Sequence, residues 1–357
     1  MEKPNPNISL AAAAELRRSG LWLSLQKGIN ELFRPQKTKT VRTPVPIPES
    51  GGRPLRLSLI ICTAGTCPGL PDAVASALRQ EGAPAYEVLV VWNRPDSPPA
   101  GLLPAEARWV REARPGLSRA RNCGAVHAKG SLLLYMDDDA VADSGLVRSM
   151  AAAFVRRPQA AIVGGQIRLA LPTPRPEAVL PGREGLWSAY TVPFRSYRPV
   201  RGQYEFPYGA CFCIRAAALE ALGGFPSSYG RIRDGFEGGE ETALCFLAQS
   251  RGWEVGIQPA AWVEHRVELR RFTRTHVKNT LRAGIFTTYR LCRDGYAPWD
   301  WDLRYVRERM RIADRELRRL EHRGSELERY YKKCERDAFA ELFLALQRPD
   351  QKEVLPC

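Results

Sequence analysis

The stretch that organises the chain is Leu132-Leu133-Leu134-Tyr135-Met136-Asp137-Asp138-Asp139-Ala140, a short apolar run that ends in three consecutive carboxylates. Such a run is typical of a buried strand. Open α/β sheets bind their ligands at the carboxyl ends of the strands, which is where the three acids would lie. Adjacent carboxylates repel one another, and bound Mg²⁺ or Mn²⁺ would relieve that repulsion. The alternative is a solvated acidic turn or a helix N-cap.

The composition is that of a globular protein with a sizeable core, because hydrophobic residues make up 44% and charged residues 26% of the 357 residues. The nine cysteines form no CxxC pair, which favours buried thiols in a reducing compartment over a disulfide framework or a zinc site. We find no signal-peptide pattern and no apolar run of the ~18 residues that a membrane span needs, and therefore expect a cytoplasmic protein. The net charge of +14 suggests an anionic partner, namely nucleic acid, a nucleotide or an anionic membrane surface.

Two segments precede the region that is predicted to form a folded domain. Residues 1–34 are predicted to be an amphipathic helical segment broken near Gly20, with apolar positions at Ile8, Ala12, Leu16, Leu23, Ile29, Leu32 and Phe33. This segment would pack on the domain or, alternatively, anchor the chain at a membrane surface. Residues 35–54 contain five prolines, which predicts an extended linker.

From residue 55 onward, strand patterns alternate with helix patterns. Strands are predicted over 57–63, 86–92, 107–111, 132–136, 160–169, 206–214 and 253–257, with Trp262-Val263-Glu264-His265 following the last, and helices over 72–80, 117–129, 144–156 and 243–249. This alternation predicts an α/β fold, with a Rossmann-like, mostly parallel sheet that carries helices on both faces. Ligand residues should then cluster after the strands, near Thr63, 93–97 and 137–139. The long loop over 171–206 is expected to be functional and to hold an acceptor.

The C-terminal region, 271–357, is predicted to be helical and basic. Residues 265–336 hold 20 Lys and Arg against 11 Asp and Glu, a net charge of +9. A heptad seam is predicted at Leu303, Val306, Met310, Ala313, Leu317, Leu320, Gly324, Leu327, Tyr331, Cys334 and Ala338. Gly324 and the capping-box sequence that follows it equally favour two helices that meet there. The seam would pack on its own domain, form a homodimer coiled coil, or belong to a region that attaches to an anionic bilayer.

Several short motifs occur in a fixed order along the chain. They are Gly116-Leu117-Ser118-Arg119-Ala120-Arg121-Asn122-Cys123-Gly124, the three acids, Gly223-Gly224-Phe225, Gly239-Glu240-Glu241 and Val263-Glu264-His265. Taken together, this order resembles the family 2 inverting glycosyltransferases of the GT-A fold. The resemblance covers about residues 55–270. It implies a GT-A catalytic domain there, with helical N- and C-terminal extensions.

The resemblance implies that Asp137 and Asp139 are the Asp-x-Asp pair and that His265 is a further metal ligand. A nucleotide-sugar donor loses a diphosphate, and a bound Mn²⁺ or Mg²⁺ would neutralise the charge that develops on it. Asp138 is expected to face the ribose or the sugar. His265 could instead be a structural residue at a strand end.

Further donor contacts are implied for Thr63, Asn93, Asp96, Arg121, Asn122 and Glu240. The family usually places Asp residues directly after its second strand, whereas this chain reads Trp92-Asn93-Arg94-Pro95-Asp96. This departure leaves the base contact open, although a UDP-sugar remains the expected donor. Arg121 could also be an ordinary helix-surface charge.

Glu241 matches the position of the catalytic base, where the family usually has Asp. A carboxylate there would take the proton of the acceptor hydroxyl as the sugar carbon is attacked, and the transfer would invert the anomeric centre. The alternative is a helix cap, because a carboxylate in the first turn also stabilises the helix.

We therefore expect an inverting hexosyltransferase of glycan, glycolipid or polysaccharide synthesis, with a glycan or lipid-linked acceptor. It would be cytoplasmic or peripheral at the inner face of the membrane. One alternative is a nucleotidyltransferase on a similar fold, but Thr63-Ala64-Gly65-Thr66 lacks the Lys or Arg of such a loop. Another is a non-enzymatic basic module that binds nucleic acid or membrane. The chain has no helix-turn-helix, RRM or zinc-finger motif, so nucleic acid is not the expected partner.

Overall fold

The computed structural model describes residues 45–48, 56–200, 202, 205–233 and 235–347. The amphipathic segment predicted over 1–34 lies outside these residues, as does the predicted linker except for 45–48. This short stretch lies against the turn before the last strand, where the Trp253 indole N–H donates to the Val45 carbonyl at 2.6 Å.

Nine strands and eight α-helices make up the described part of the chain. The strands are β1 (Leu57–Thr63), β2 (Tyr86–Trp92), β3 (Arg108–Arg111), β4 (Leu132–Asp137), β5 (Ala140–Ala142), β6 (Ala160–Leu169), β7 (Arg198–Pro199), β8 (Phe212–Arg215) and β9 (Glu254–His265). The helices are α1 (Leu70–Leu78), α2 (Leu117–His127), α3 (Leu146–Arg156), α4 (Ala216–Leu222), α5 (Glu240–Ser250), α6 (Arg274–Arg293), α7 (Leu303–Arg323) and α8 (Glu326–Leu346).

All nine strands join one sheet in the order β3-β2-β1-β4-β8-β6-β9-β5, with β7 paired to β9. The pairs among β3, β2, β1 and β4 are parallel, as is the β6–β9 pair, whereas β8 is antiparallel to both of its neighbours. Because β8 runs opposite to both β4 and β6, the strands β6 and β9 run in the same direction as β1. The predicted α/β fold with a mostly parallel sheet is therefore confirmed.

Helices cover both faces of this sheet. Successive residues of β1 point to opposite faces, so that Ile61 packs with Val74 of α1 and Phe154 of α3 on one side. On the other side, Ile60 packs in a cluster with Ala120 of α2, to which α4 and α5 also contribute. Residues buried on both faces explain why the predicted strands are nearly continuous apolar runs.

Two strands differ from the sequence-based prediction. The strand predicted over 253–257 continues through 262–265 as one strand, β9, whose register against β6 shifts between Gly164 and Gln166. Gln166 fills this irregularity by donating to the Pro259 carbonyl at 2.8 Å. The strand predicted over 206–214 instead begins with a 3₁₀ turn at Gly209–Cys211, and only Phe212–Arg215 is extended.

The predicted heptad seam is interrupted at Gly324, where α7 ends and α8 begins. Ser325 and Glu328 form a capping box at the start of α8, as the sequence indicates. Buried side chains of the seam, among them Val306, pack within the chain against α6 and α8. A homodimer stays a prediction, but most of the seam is already covered by the chain's own helices.

No helix in the described ranges is long and apolar enough to cross a membrane. The eight cysteines among these residues are free thiols, which agrees with the expected absence of a disulfide framework.

Candidate active site

The first functional cluster lies at the carboxyl end of β4 and consists of Asp137, Asp139 and His265; we call it the Asp–His cluster. Its ligand atoms all lie within 4.8 Å of one another. Asp137 ends β4, and His265 ends β9. The structure therefore brings together all three residues that the sequence assigned to a metal.

Strand pairing explains how His265 reaches the acids. The short strand β5 follows the acidic turn and pairs with β9 so that Ala140 lies opposite His265. The Arg266 N–H then donates to the Asp139 carbonyl at 2.8 Å. His265 Nε2 consequently lies 2.9 Å from Asp139 Oδ1.

The other ring nitrogen of His265 is fixed by Trp187, a residue of the long loop. His265 Nδ1 lies 3.0 Å from the Trp187 carbonyl oxygen, so Nδ1 carries the proton that donates and Nε2 faces the acids. Trp187 is fully buried, and its indole N–H donates to the Arg271 carbonyl at 3.0 Å. This part of the loop is therefore a rigid support for the Asp–His cluster.

The charges in the cluster influence one another strongly. Burial raises the pKa of Asp137, and the nearby Arg121 only partly opposes it. Burial also acts to raise the pKa of Asp139, but its hydrogen bond with His265 and the charges of His265 and Arg271 outweigh burial and lower it. The Arg271 guanidinium lies 3.4 Å from Asp139 Oδ2. Asp139 is thus held as an anion by its contacts with His265 and Arg271.

The middle acid, Asp138, has Thr63 as its side-chain hydrogen-bond partner. The Thr63 hydroxyl donates to Asp138 Oδ2 at 2.5 Å and accepts from the Gly65 N–H at 2.9 Å. Burial raises the pKa of Asp138 to about 7, against the hydrogen bond from Thr63. The two residues, both predicted to contact the donor, are therefore adjacent.

The donor set of the Asp–His cluster fits a divalent metal. It offers two carboxylates and one imidazole at distances that one ion can span. The Trp187 carbonyl fixes the imidazole tautomer, as outer hydrogen bonds commonly do for metal-bound histidines. Asp137, Asp139 and His265 would hold the ion.

The second cluster contains Arg121, Glu240 and Glu241, and we call it the Arg–Glu cluster. Arg121 Nη1 donates to Glu240 Oε1 at 2.7 Å and to Glu241 Oε1 at 2.8 Å. Arg121 Nη2 also lies 3.7 Å from Asp137 Oδ1. The Arg121 side chain is only 3% exposed, so the two clusters are linked by a buried guanidinium.

The two glutamates of the Arg–Glu cluster are in different surroundings. The Glu240 side chain is 2% exposed, its Oε2 is buried without a hydrogen-bond partner, and burial raises its pKa to about 8. The Glu241 side chain is 15% exposed. Glu241 is therefore the carboxylate of the pair that an acceptor can reach.

Because Gly209 has no side chain, the Arg–Glu cluster can pack directly against its backbone. A methyl group added at Gly209 would overlap both Arg121 Nη2 and Glu241 Oε1. The 3₁₀ turn that replaces part of a predicted strand thus brings a bare backbone against the ion pair. Any side chain at this position would displace Arg121 or Glu241.

Three residues predicted to contact the donor have side chains engaged in local hydrogen bonds. Asn93 bonds the Glu112 and Arg114 carbonyls and accepts from Gly116 N–H. Asn122 bonds both the N–H and the carbonyl of Phe225. Asp96 is exposed and pairs with Arg94 at 2.8 Å. Asn93 therefore holds the segment 112–116 in place, and Asn122 holds the turn at Phe225. Their contact with a donor stays a prediction.

Sequence reasoning does not find Trp187, Arg271 or Gly209. Trp187 lies in a segment without periodicity, and Arg271 is one of many arginines in the C-terminal half. Gly209 falls inside a predicted strand, although a glycine inside a strand pattern is itself a signal of a close backbone approach. That signal could have identified Gly209.

Comparisons with known proteins show what the chain is similar to. The family model described as glycosyl transferase family 2 matches residues 58–223. A solved structure, the mannosyltransferase PcManGT from Pyrobaculum calidifontis in complex with GDP-Man and Mn²⁺, aligns with a TM-score of 0.54. The alignment covers 93% of this chain and 96% of that chain at 17% sequence identity, which shows a shared fold. No curated protein sequence matches the chain.

These findings confirm the predicted resemblance and the GT-A type of α/β fold. The matched residues include Arg121, Gly209 and the acids at the end of β4, whereas Glu241 and His265 follow the matched region. Over residues 58–223, the chain therefore resembles glycosyl transferase family 2.

Proposed function

We propose that the protein transfers a sugar from a nucleoside diphosphate sugar to an acceptor hydroxyl, with metal dependence and inversion at the anomeric carbon. The observation that carries this proposal is the connection between the two clusters. Arg121 contacts Glu241 at 2.8 Å and Asp137 at 3.7 Å, so a candidate base and a candidate metal site adjoin the same guanidinium. In-line displacement needs a base and a leaving-group site at this kind of separation, on either side of one carbon atom.

The Asp–His cluster would hold the metal that binds the donor diphosphate. The bound metal supplies positive charge to the departing diphosphate. One imidazole beside two carboxylates favours Mn²⁺ over Mg²⁺, because Mg²⁺ prefers an all-oxygen shell. PcManGT is in complex with GDP-Man and Mn²⁺, which supports the same class of donor and ion here. Both UDP- and GDP-sugars are therefore candidate donors, with the UDP-sugar expected from the sequence still to be tested.

Glu241 is proposed as the base that removes the acceptor proton. Its Oε1 accepts from Arg121, which holds the carboxylate in place, while Oε2 has no hydrogen bond from the described residues. The acceptor O–H would donate to Oε2, and the oxygen would attack the anomeric carbon as the proton moves to Glu241. A single displacement of this kind inverts the configuration.

The remaining donor contacts are proposed for Thr63 with Asp138 and for Arg271. The hydrogen bond from Thr63 fixes the orientation of the Asp138 carboxyl group. A protonated Asp138 would then donate to a sugar or ribose hydroxyl. Arg271 is partly exposed beside Asp139, where a guanidinium can pair with a phosphate oxygen. A hexose as the transferred sugar and a glycan or lipid-linked acceptor complete the proposal.

The test is a donor hydrolysis screen with UDP- and GDP-sugars, each with Mn²⁺, with Mg²⁺ and with a chelator. We expect turnover with one nucleotide class, and we expect chelation to abolish it. Activity that is unaffected by chelation would contradict the metal site, and release of pyrophosphate from a nucleoside triphosphate and a sugar phosphate would indicate a nucleotidyltransferase.

Asp139→Ala provides a direct test of the Asp–His cluster. We expect it to remove Mn²⁺-dependent nucleotide binding measured by calorimetry, since it deletes one ligand and the partner of His265. Asp139→Asn, which keeps the size, serves as the second variant if the alanine variant unfolds. Unchanged nucleotide affinity in the presence of Mn²⁺ would show that Asp139 is not a ligand.

A further inference from the structure

The helix α7 has two faces of very different charge. Its inner face lies against α8, where cations and anions alternate between the helices. Arg309 of α7 lies 3.6 Å from Glu335, and Glu316 of α7 lies 2.6 Å from Lys332. The inner face is therefore close to neutral.

The outer face of α7 is a stripe of arginines. Seven of them are exposed, at Arg304, Arg307, Arg311, Arg315, Arg318, Arg319 and Arg323. Glu308 and Glu321 are the exposed acids of the helix. Arg311 and Arg315 pair with Glu308, while the other five arginines have no ion-pair partner within the described ranges.

The spacing of these residues makes the stripe continuous. Steps of three and four residues keep side chains on one side of a helix. A helix of 21 residues is about 30 Å long, so the arginines form a straight row of that length. A packing role does not explain this row, because it lies on the side that no other described element covers.

We propose that this arginine stripe docks the protein on a bilayer surface rich in anionic phospholipids. A straight row of guanidinium groups can contact many headgroup phosphates of a flat surface at once. The exposed residues of α7 include no Phe, Tyr or Trp, so the stripe lacks the stacking platform of single-stranded nucleic acid sites. Leu303 and Leu344 are exposed at the open end of the α7–α8 hairpin, where apolar side chains would suit a bilayer interface.

The hairpin also relates the stripe to the active site. At its closed end, Glu326 of α8 lies 2.6 Å from Arg274, the first residue of α6. Arg271, three residues earlier, contacts Asp139. The stripe therefore ends near the same end of α6 as the Asp–His cluster. If the proposed function is correct, a docked protein would present its cleft close to a lipid-linked acceptor, but docking itself does not depend on that function.

The test is co-sedimentation of the full chain with vesicles. We expect binding to vesicles of equimolar phosphatidylglycerol and phosphatidylcholine, no binding to phosphatidylcholine alone, and loss of binding at high salt. The triple variant R311E/R315E/R318E should bind at least about tenfold more weakly. The matched control R79E/R148E/R156E has the same change in net charge on exposed arginines at α1 and α3, and it should bind like the wild type.

Three results would overturn the proposal. Equal loss of binding in both triple variants would mean that net charge alone acts, and equal binding of the stripe variant and the wild type would exclude the stripe. Tighter binding to a single-stranded RNA oligomer than to the vesicles would assign the stripe to nucleic acid instead. Donor hydrolysis measured without vesicles is independent of these outcomes, so a failure of the proposed function would be distinguishable.

Discussion

The Asp–His cluster and the Arg–Glu cluster differ in how their negative charge is balanced. In the Arg–Glu cluster, one buried guanidinium contacts both carboxylates at normal hydrogen-bond distances. In the Asp–His cluster, His265 and Arg271 both contact Asp139, while Asp137 is 33% exposed and lies 3.7 Å from Arg121. In the first cluster a fixed cation contacts each carboxylate, whereas the second places two carboxylates and an imidazole within 4.8 Å of one another.

This difference indicates which carboxylates are available for which task. A carboxylate whose partner is a fixed arginine keeps its position and needs no added ion. Carboxylates that converge without such a partner form a site for a cation. The comparison supports the proposal that Glu241 takes the proton and that Asp137 and Asp139 bind the metal, and each role can be tested separately.

The sharpest test is Glu241→Gln, which removes the base and leaves the Asp–His cluster intact. We expect kcat for sugar transfer to fall by ~10² to 10⁴, because general-base loss has that effect, with donor affinity nearly unchanged. Steady-state kinetics and calorimetry with the nucleotide measure the two quantities. Glu220→Gln, at an exposed position of α4, is the control. Wild-type turnover in the Glu241 variant would show that this residue is a helix cap and not the base.

Arg121→Met tests whether the Arg–Glu cluster depends on its single cation. Loss of one partner leaves buried carboxylates uncompensated, which typically costs about 3–5 kcal/mol of stability. The loss should be greater at high pH, where Glu240 is ionised. Urea denaturation at two pH values measures it.

The matched control for this variant is Arg157→Met. Arg157 pairs with Glu254 at 2.7 Å, but its side chain is 40% exposed. An exposed pair contributes up to about 1 kcal/mol. If both variants lose the same stability, the Arg–Glu cluster has no special dependence on Arg121.

Gly209→Ala tests the space around the same cluster. The added methyl group overlaps Arg121 and Glu241, and overpacking of this kind costs about 1–3 kcal/mol. We also expect a lower kcat, since Glu241 must move. Gly284→Ala in α6 is the control, because nothing lies within 4 Å of the added methyl group there. A Gly209 variant with unchanged melting temperature and kcat would contradict the packing argument.

The last test concerns the dependence of stability on pH. The pKa of Glu240 is raised by burial from 4.5 to about 8, so its contribution to stability is present below pH 4.5 and is lost as the pH rises through 8. Glu240→Gln removes this titration while keeping an acceptor for Arg121. The variant should therefore gain stability relative to the wild type as the pH rises over that range. Melting curves at a series of pH values would contradict this if the two profiles were parallel.

Local patterns in the sequence are sufficient to predict the α/β fold and the acids of β4. A buried strand and a row of carboxylates are properties of neighbouring residues, and the sheet places them at its ligand-binding edge without further information. His265 is found only through the order of the family's motifs, since no local property distinguishes it from a structural histidine.

Long-range contacts set the limit of prediction from sequence. Arg121 and Glu240 are 119 residues apart, and nothing in either segment indicates that one guanidinium serves three carboxylates. The contact of Trp187 with His265 arises from a loop without periodicity. For this reason the sequence predicts Arg121 only as a donor contact or a surface charge, whereas the structure finds it buried between the clusters.

The pairing of β5 with β9 has a consequence for the synthesis of the protein. His265 follows Asp139 by 126 residues, so the ribosome makes the acidic turn long before its third candidate ligand. A nascent or truncated chain that ends before β9 can contain the complete run of acids and still lack the strand that positions them. Formation of the Asp–His cluster therefore coincides with the docking of the last long strand, and a chain that stops short of it cannot assemble the cluster.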